Sequence, residues 1–204
     1  MKTYKIHFIR HGLTSANAEG KYIGATDLSL STLGIERLEN LKNEVGYPNT
    51  PIVFTSPLKR CTETCEILFP NSKSIIIDEF REYNFGDFEN KTAFELETMP
   101  EYLEWTSGKN SCPPNGEEQG EFIKRICLGL NKVVRKMMEL GIYEASVILH
   151  GGVIMSLFAA TALPRKQTLE WTCPDGEGFT ARITPSLYAK SGIIEVIDTV
   201  PYKE

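Results

Sequence analysis

The sequence predicts an α/β fold in which short, buried strands alternate with helices. Residues 3–9 form a short, apolar, β-prone segment that ends before Gly12, as expected of a strand inside a sheet. Residues 146–149 form a second such segment, which ends before two glycines. Between them, residues 117–140 carry apolar side chains at helical spacing. This alternation is typical of a sheet that is covered by helices.

The other elements follow from apolar patterns and from turn residues. In chain order they are a polar loop over 15–31, a helix at about 31–45, a strand at 51–55, a helix that begins after Ser56-Pro57, a strand at 74–78, short helices within 91–120, a buried helix after Gly152, and strands at 178–183, 186–190 and 192–200. The last three should lie at a sheet edge, interrupted by Pro185. Met137 and Met138, near the end of the long helix, are both expected in the core.

Composition and charge indicate one globular domain with no nucleic-acid partner. The chain has 204 residues, of which 41% are hydrophobic and 24% charged, and no internal repeat divides it. We therefore expect a single domain over residues 1–204. The formal net charge is −5, and the 22 basic residues form no stripe or tail. Any phosphate binding must therefore be local.

The cysteines and the apolar segments predict a cytoplasmic protein. The five cysteines are an odd number with irregular spacing, which favours reduced thiols over a disulfide framework. The apolar run near the N-terminus is too short for a signal peptide. Residues 145–163 carry no Asp, Glu, Lys or Arg, but His150-Gly151-Gly152 splits them into a strand and a helix. We therefore expect no membrane contact.

No metal site is predicted. Cys61 and Cys65 fall with Leu58 and Leu68 on one helical stripe, which favours a buried helix face over zinc ligation. His7 lies in the interior of the first strand and is expected to be structural.

Arg10 and His11 stand where the first strand ends. Ligands of open α/β sheets bind outside the carboxyl ends of the strands, so both side chains should project into that crevice. A neutral imidazole there can attack phosphorus, and a guanidinium can bind phosphoryl oxygens through two hydrogen bonds. For this pair alone, a capping arginine and a structural histidine remain the alternative.

Two further positions offer the same two side-chain types, an arginine and a histidine. Arg60 lies in the first turn of a predicted helix, where backbone N–H groups and the positive helix end favour an anion. A solvated surface arginine is the alternative there. His150 follows the strand at 146–149 and precedes two glycines, as His11 precedes Gly12.

The segment after the strand at 74–78 is predicted to form a pocket wall. Residues 79–89 mix carboxylates with aromatic side chains, which desolvate a carboxyl group and raise its pKa towards that of a general acid. Several acids there qualify. Residues 83–116 are predicted to insert as a lid, whose Phe, Tyr and Trp side chains suggest a leaving group with an apolar or aromatic part.

These motifs together identify a family resemblance. They are Arg10-His11-Gly12 with Thr14 and Asn17, Ser56-Pro57-Leu58-Lys59-Arg60, Phe80-Arg81-Glu82 followed by Phe85-Gly86-Asp87, Pro114-Asn115-Gly116-Glu117, and Leu149-His150-Gly151-Gly152. The chain resembles the histidine phosphatase superfamily, in the branch of cofactor-dependent phosphoglycerate mutases and their small phosphatase relatives. The resemblance implies a phosphoglycerate mutase-like fold, a three-layer α/β/α sandwich with a central, mostly parallel sheet.

The resemblance also implies roles for particular residues. His11 would be the nucleophile that forms a phosphohistidine, while Arg10, Arg60 and His150 would surround the phosphoryl oxygens. Glu82 would protonate the leaving group and then, once deprotonated, activate the attacking water. No metal, nucleotide or other cofactor would be required.

Further binding residues follow from the same resemblance. Asn17, Gly24 and Gly151 would line the phosphate pocket. Leu13 and Glu118 depart from the family pattern, as does Ile23. The apolar Ile23 offers no hydrogen bond to a substrate carboxylate, and the chain lacks the longer middle insertion of the mutases, so the phosphatase branch fits better.

The expected activity is hydrolysis of a small phosphomonoester by a monomer or homodimer. The loop over residues 22–30 looks most like that of α-ribazole-5′-phosphate phosphatases, and phosphoglycerate mutase is the alternative activity. A non-catalytic phosphoryl-binding protein on the same fold is a second alternative. A serine hydrolase is disfavoured because no Gly-x-Ser-x-Gly motif occurs.

Overall fold

The computed structural model describes residues 2–202. Its sheet contains seven strands in the order β3-β2-β4-β1-β6-β7-β5. The strands are β1 (Tyr4–Arg10), β2 (Ile52–Thr55), β3 (Lys73–Ile76), β4 (Glu144–Leu149), β5 (Ala162–Leu163), β6 (Gly178–Ile183) and β7 (Ile194–Val200). The helices are α1 (Ser15–Ala18), α2 (Thr32–Glu44), α3 (Lys59–Leu68), α4 (Ala93–Leu96), α5 (Pro100–Thr106), α6 (Gln119–Leu140), α7 (Gly151–Thr161) and α8 (Pro185–Ser191).

The sheet is mostly parallel, as predicted. Strands β1 and β4, β4 and β2, and β2 and β3 pair in parallel, as do β5 and β7. Strand β6 runs antiparallel to both β1 and β7. Parallel pairing brings the carboxyl ends of β1, β2 and β4 to one edge, since Arg10 is in register with Leu149 and Thr55 with Ile148.

Side chains of β1 enter two cores on opposite faces of the sheet. Ile6 and Phe8 pack in a cluster with buried residues of α6 and α7, whereas Ile9 packs in a second cluster with residues of α2 and α3. Alternation along a strand explains this division. The arrangement confirms the predicted three-layer architecture, and it places Cys61 and Cys65 on the buried face of α3.

Helix α6 confirms the clearest periodic prediction and corrects one detail. The Glu118 carboxylate caps it by accepting from the Glu121 N–H at 2.8 Å, and Gly141 ends it in the left-handed region at φ 66°. Met137 is buried, as expected, but Met138 is 45% exposed. The prediction for Met138 was wrong because the next position on the helix points about 100° away, outside the buried stripe.

The segment before β7 differs from the predicted secondary structure. Residues 186–190 were predicted as a strand, but they form helix α8, which begins at Pro185 and ends before Gly192 at φ 67°. Proline is favoured in the first helical turn and glycine just after the last, and these two signals outweigh the local apolar alternation. The loop predicted at 15–31 also contains the short helix α1, capped by Thr14.

The predicted lid region, residues 83–116, combines a 3₁₀ turn with α4 and α5. It has a small core of its own, formed by Phe88, Leu96 and Tyr102. Its connection to the strand edge passes through Tyr83, which packs in the main core. The segment is therefore anchored at the sheet edge where the predicted site residues lie.

Candidate active site

His11 and His150 lie at the ends of the neighbouring parallel strands β1 and β4. The backbone N–H of His11 donates to the Leu149 carbonyl at 2.9 Å, which continues the pairing of the two strands. The two imidazole rings are 5.1 Å apart between centroids, and both are buried. Adjacent strand ends thus bring together two histidines that are far apart in the sequence.

The hydrogen bonding of His11 defines its tautomer. Its Nδ1 lies 2.7 Å from the Gly12 carbonyl oxygen, which can only accept, so Nδ1 carries the proton. The lone pair is then on Nε2. Burial, as the largest cause, and the charge of the neighbouring Arg60 lower the pKa of His11 to about 3, although the bond to Gly12 opposes the shift. His11 is therefore a neutral imidazole whose Nε2 carries an unshared lone pair.

His150 has the opposite tautomer. Its Nδ1 accepts from the Nε–H of Arg60 at 3.2 Å, and its Nε2 consequently donates to the Ser56 hydroxyl at 2.8 Å. Burial and the charge of Arg60 hold the pKa of His150 well below its ordinary value. Both ring nitrogens bond to protein groups, so in this structure His150 orients Arg60.

Arg60 is a buried cation at the start of α3, with 1% of its surface exposed. Besides His150, it donates to the carbonyl oxygens of Thr26 at 2.8 Å and Gly24 at 2.9 Å. Among residues 2–202, none of the ion pairs involves Arg60. A buried guanidinium with N–H groups still unused and no carboxylate partner favours binding of an anion.

Arg10 is held by residues of the loop that follows residue 171. Its Nη1 donates to the Cys173 carbonyl at 2.9 Å, and its Nε lies 3.0 Å from the Asp175 carboxylate. The second contact is an ion pair without hydrogen-bond geometry. Neither the Arg10 Nε nor the Asp175 Oδ1 has a hydrogen-bond partner among residues 2–202. Arg10 also lies against Gly151, where a Cβ would be 3.4 Å from its Nε.

Glu82 is docked on the N-terminus of α7. One carboxylate oxygen accepts from the Tyr83 N–H at 2.9 Å, and the other accepts from the Gly152 N–H at 2.9 Å. Burial raises the pKa of Glu82, while these two bonds and the charges of Arg60 and Arg10 oppose the rise. The site therefore contains a buried carboxyl group that retains its proton above the ordinary pKa of 4.5.

Gly152 was not singled out from the sequence, although the structure requires it. A Cβ at this position would lie 2.6 Å from a Glu82 carboxylate oxygen. Gly24 is similarly constrained, since a Cβ there would lie 1.7 Å from the Tyr83 carbonyl oxygen. The signal for Gly152 was its place as the second glycine after His150, at the start of a helix.

Asn17 makes its side-chain hydrogen bond within its own segment. Its Oδ1 accepts from the Thr14 hydroxyl at 2.8 Å, and its backbone N–H donates to the same hydroxyl at 3.2 Å. Within residues 2–202 its side chain makes no hydrogen bond to the two histidines, the two arginines or Glu82. The structure thus groups five of the predicted residues closely, whereas the side chain of Asn17, in the short helix α1, bonds to Thr14.

Arg125 of α6 supports the segment that carries Glu82. Its guanidinium donates to the carbonyls of Glu79 at 2.7 Å and Arg81 at 2.9 Å, and it pairs with both carboxylate oxygens of Glu117. The side chains of Arg125 and Glu117 are a quarter exposed or less. This support was not predicted, because it joins positions that are distant in the sequence.

Two cavities lie beside the segment that carries Glu82. The larger, of about 760 Å³, is bounded by Gly152 and by the aromatic side chains of Tyr22, Tyr83, Phe85, Trp105 and Phe122. The smaller, of about 380 Å³, has Glu82 itself in its lining together with Arg81 and Arg125, and we call it the polar cavity after these charged side chains. Glu82 therefore lines the polar cavity and is bonded to Gly152, which lines the aromatic one.

Across residues 2–202, no group of three or more His, Cys, Asp or Glu side chains is arranged to hold a metal ion. Over the same residues, no helix combines the length and apolar character needed to cross a membrane.

The fold and the site define a mostly parallel α/β protein in which buried histidines and a buried arginine meet at the ends of the central strands. Comparison with known proteins gives the family. Residues 6–180 match the histidine phosphatase superfamily (branch 1), and the chain belongs to this family. Members of the family are phosphatases and mutases, which supports a phosphatase enzyme here.

Characterised relatives share about a quarter of the aligned residues. The adenosylcobalamin/α-ribazole phosphatase of Escherichia coli is 29% identical over 161 residues, which cover 76% of this chain and 77% of the relative. The glucosyl-3-phosphoglycerate phosphatase of Mycolicibacterium vanbaalenii is 26% identical over 78% of this chain and 75% of the relative. A solved structure of a putative α-ribazole-5′-P phosphatase from Escherichia coli matches with TM-score 0.79 at 23% identity, covering 96% and 95% of the two chains. This last match bears on the fold alone.

Proposed function

We propose that this protein is a phosphomonoesterase that acts through a covalent phosphohistidine on His11, without a metal ion. The observation that carries the proposal is the tautomer of His11, whose Nδ1–H is bonded to the Gly12 carbonyl at 2.7 Å. That bond leaves the lone pair on Nε2, in a ring 5.1 Å from His150, which in turn bonds to the unpaired cation Arg60. A neutral nucleophile beside a buried positive charge suits attack on a phosphoryl group.

In the first step the Nε2 lone pair attacks phosphorus and the ester P–O bond breaks. Arg60 and Arg10 stabilise the charge that spreads over the phosphoryl oxygens. The leaving oxygen takes the proton of the Glu82 carboxyl group, which burial keeps protonated above its ordinary pKa. The products of this step are an alcohol, a phosphohistidine and the Glu82 carboxylate.

In the second step water attacks the phosphohistidine. The Glu82 carboxylate accepts one proton of that water as the new P–O bond forms and the P–N bond breaks. Inorganic phosphate, neutral His11 and protonated Glu82 result, so the enzyme returns to its starting state. The polar cavity that includes Glu82 provides space from which water can reach this carboxylate.

The substrate we infer is a small phosphomonoester whose leaving group has an aromatic part. The aromatic cavity is bounded by Gly152, whose N–H binds Glu82, so a leaving group protonated by Glu82 would extend into it. Aromatic side chains pack favourably on a planar heterocycle. The α-ribazole phosphatase of Escherichia coli is a 29% identical relative, so α-ribazole-5′-phosphate is the first compound to test.

The compartment we infer is the cytoplasm, and the partner is a small metabolite. The five cysteines are all free thiols, which suits a reducing environment. We expect the protein to act as a monomer or homodimer.

The test is phosphate release from a panel of esters in the presence of EDTA. The panel contains α-ribazole phosphate, phosphoserine, 3-phosphoglycerate and sugar phosphates, and wild type is compared with His11→Ala. Release by wild type that is absent in the variant supports the proposal. Undiminished release by the variant would exclude His11 as nucleophile, and loss of wild-type activity in EDTA would exclude a metal-free reaction. Exchange of 2- and 3-phosphoglycerate without release would indicate a mutase.

A further inference from the structure

The Glu89 carboxylate binds one short loop through several donors at once. The N–H groups of Gly24, Ala25 and Thr26 donate to it at 3.0, 2.9 and 3.3 Å, and the Thr26 hydroxyl donates at 2.6 Å. Glu89 is only half-buried, and it is not part of the aromatic cavity or the polar one. Hydrogen bonds to a charged acceptor are stronger than those between neutral groups, so this carboxylate fixes the position of the loop.

The same loop holds Arg60 from its other side. The carbonyl oxygens of Gly24 and Thr26, whose N–H groups point to Glu89, accept from the two terminal nitrogens of the Arg60 guanidinium at 2.9 and 2.8 Å. The loop is thus a bridge three residues long, with its N–H groups on a carboxylate and its carbonyls on a buried cation. The guanidinium is planar and rigid, so the spacing of the two carbonyls determines its orientation.

We propose that Glu89 is a positioning residue for phosphoryl binding, acting through residues 24–26 to orient the Arg60 guanidinium. The inference rests on the proposed function, because it assigns Arg60 to the phosphoryl group. Arg60 donates to His150 as well, so a shift of the loop would also disturb the ring that lies beside His11. A displacement of about 1 Å at such a group can lower the rate about 10²-fold.

Glu89 belongs to the predicted lid region, and its carboxylate also accepts from the Phe85 N–H of that region at 3.1 Å. Loss of that bond would alter the aromatic cavity and affect esters according to their leaving groups. Loss of the loop bonds would instead weaken phosphoryl binding for every ester. The two roles are therefore separable by experiment.

The experiment compares Glu89→Gln with Asp87→Asn in the full chain. Asp87 is a matched carboxylate two residues away, and it bonds to Asn115 at 3.0 Å on the surface. Inorganic phosphate is titrated into each protein, and kcat/KM is measured for aryl and alkyl esters. We expect Glu89→Gln to weaken phosphate binding and to lower kcat/KM about 10²-fold for both ester classes. Asp87→Asn should stay within about twofold of wild type in both assays.

A double-mutant cycle tests whether Glu89 acts through Arg60. In an Arg60→Lys background the amine cannot span both carbonyls, so the loss caused by Glu89→Gln should shrink to about twofold. Thr26→Val removes only the hydroxyl bond to Glu89 and should lower kcat/KM for both ester classes equally, but by a smaller factor. This milder variant serves as a second test in case Glu89→Gln misfolds. An undiminished Glu89→Gln effect in the Arg60→Lys background, or a loss confined to aryl esters, would overturn the proposal. Phosphate titration requires no turnover, so this test remains readable if the proposed hydrolysis is wrong.

Discussion

The strand-end site and the aromatic cavity differ in how they are built. Around His11, the key groups come from residues next to strand ends or helix starts. His11, His150 and Arg60 are at most 4% exposed, Arg60 donates to His150, and the His150 ring lies 5.1 Å from the His11 ring. The aromatic cavity combines loop residues and the short helix α5 with side chains of α6 and α7, and its lining includes Leu169, which is 78% exposed. We infer from this contrast that the sheet edge provides the phosphoryl chemistry and that the aromatic cavity selects the leaving group.

This contrast predicts which mutations affect all substrates and which affect only some. Changes at the strand-end site should lower every reaction alike, because each ester presents the same phosphoryl group. Changes in the aromatic cavity should depend on the leaving group.

The largest effect is expected for His11→Ala, which removes the nucleophile at the strand end. Turnover should fall by about 10⁴-fold or more for every ester, because no other group can form the covalent intermediate. His7→Gln is the matched control in the same strand. His7 bonds to Thr180 and Glu144 in the core, so that variant should lose about 1–3 kcal/mol of unfolding free energy and retain its turnover per folded molecule. Steady-state kinetics and thermal unfolding of both variants test this difference.

Glu82→Gln should produce the next largest loss, about 10²–10⁴-fold for alkyl esters, because glutamine cannot donate the required proton. Nitrophenyl phosphate, whose leaving group needs little protonation, should be affected much less. Equal losses for both esters would contradict the role of Glu82 as proton donor.

The pH dependence sharpens the same test. The pKa of His11 is lowered to about 3, and that of Glu82 is raised above 4.5. The first step needs neutral His11 and protonated Glu82. In wild type, kcat/KM should therefore fall below about pH 3 and also above the raised pKa of Glu82. The fall of kcat/KM at high pH should be absent in Glu82→Gln. Titration of the substrate affects both proteins equally, so the difference between their two pH profiles reports on Glu82.

Gly152→Ala should lower activity by up to about 10²-fold, because the added Cβ would lie 2.6 Å from the Glu82 carboxylate and displace it. Gly151→Ala is the matched control, since its Cβ would meet Arg10 at 3.4 Å, near an ordinary contact. The Gly151 variant should lose clearly less activity on alkyl esters. The reverse order would show that Glu82 does not act from its observed position.

The smallest effect is expected for Trp105→Ala in the aromatic cavity. Trp105 stacks on Tyr83 at 6.3 Å between centroids, and its removal should lower kcat/KM for aromatic leaving groups about 10-fold. Glycerol phosphate should be hydrolysed almost as before. Phe94→Ala, at a position that is 79% exposed in the same region, is the control and should change neither substrate. If Trp105→Ala lowered kcat/KM equally for both substrates, the result would contradict the proposed separate roles of the two regions.

The same division explains what could be predicted from the sequence. Arg10 and His11 are adjacent to a strand end, and local patterns locate that end. Glu82 could be separated from neighbouring acids only by family resemblance, because its environment depends on Gly152, 70 positions away. Glu89 was missed for a similar reason, since the loop it binds lies more than 60 positions earlier. The pocket wall around residues 79–89 could be predicted because its acids and aromatic residues are close in the sequence. Contacts between distant segments leave no local pattern, which is why the support of Glu82 and the rest of the cavity lining could not be predicted.

The central claim is that phosphoryl transfer occurs in two displacements with phosphohistidine between them. The most direct measurement is the stereochemistry of hydrolysis at phosphorus, using a phosphorothioate ester made chiral with oxygen isotopes and hydrolysed in isotopically labelled water. Each in-line displacement inverts the configuration, so transfer through His11 predicts overall retention. Inversion would show that water attacks the ester directly and would contradict the account.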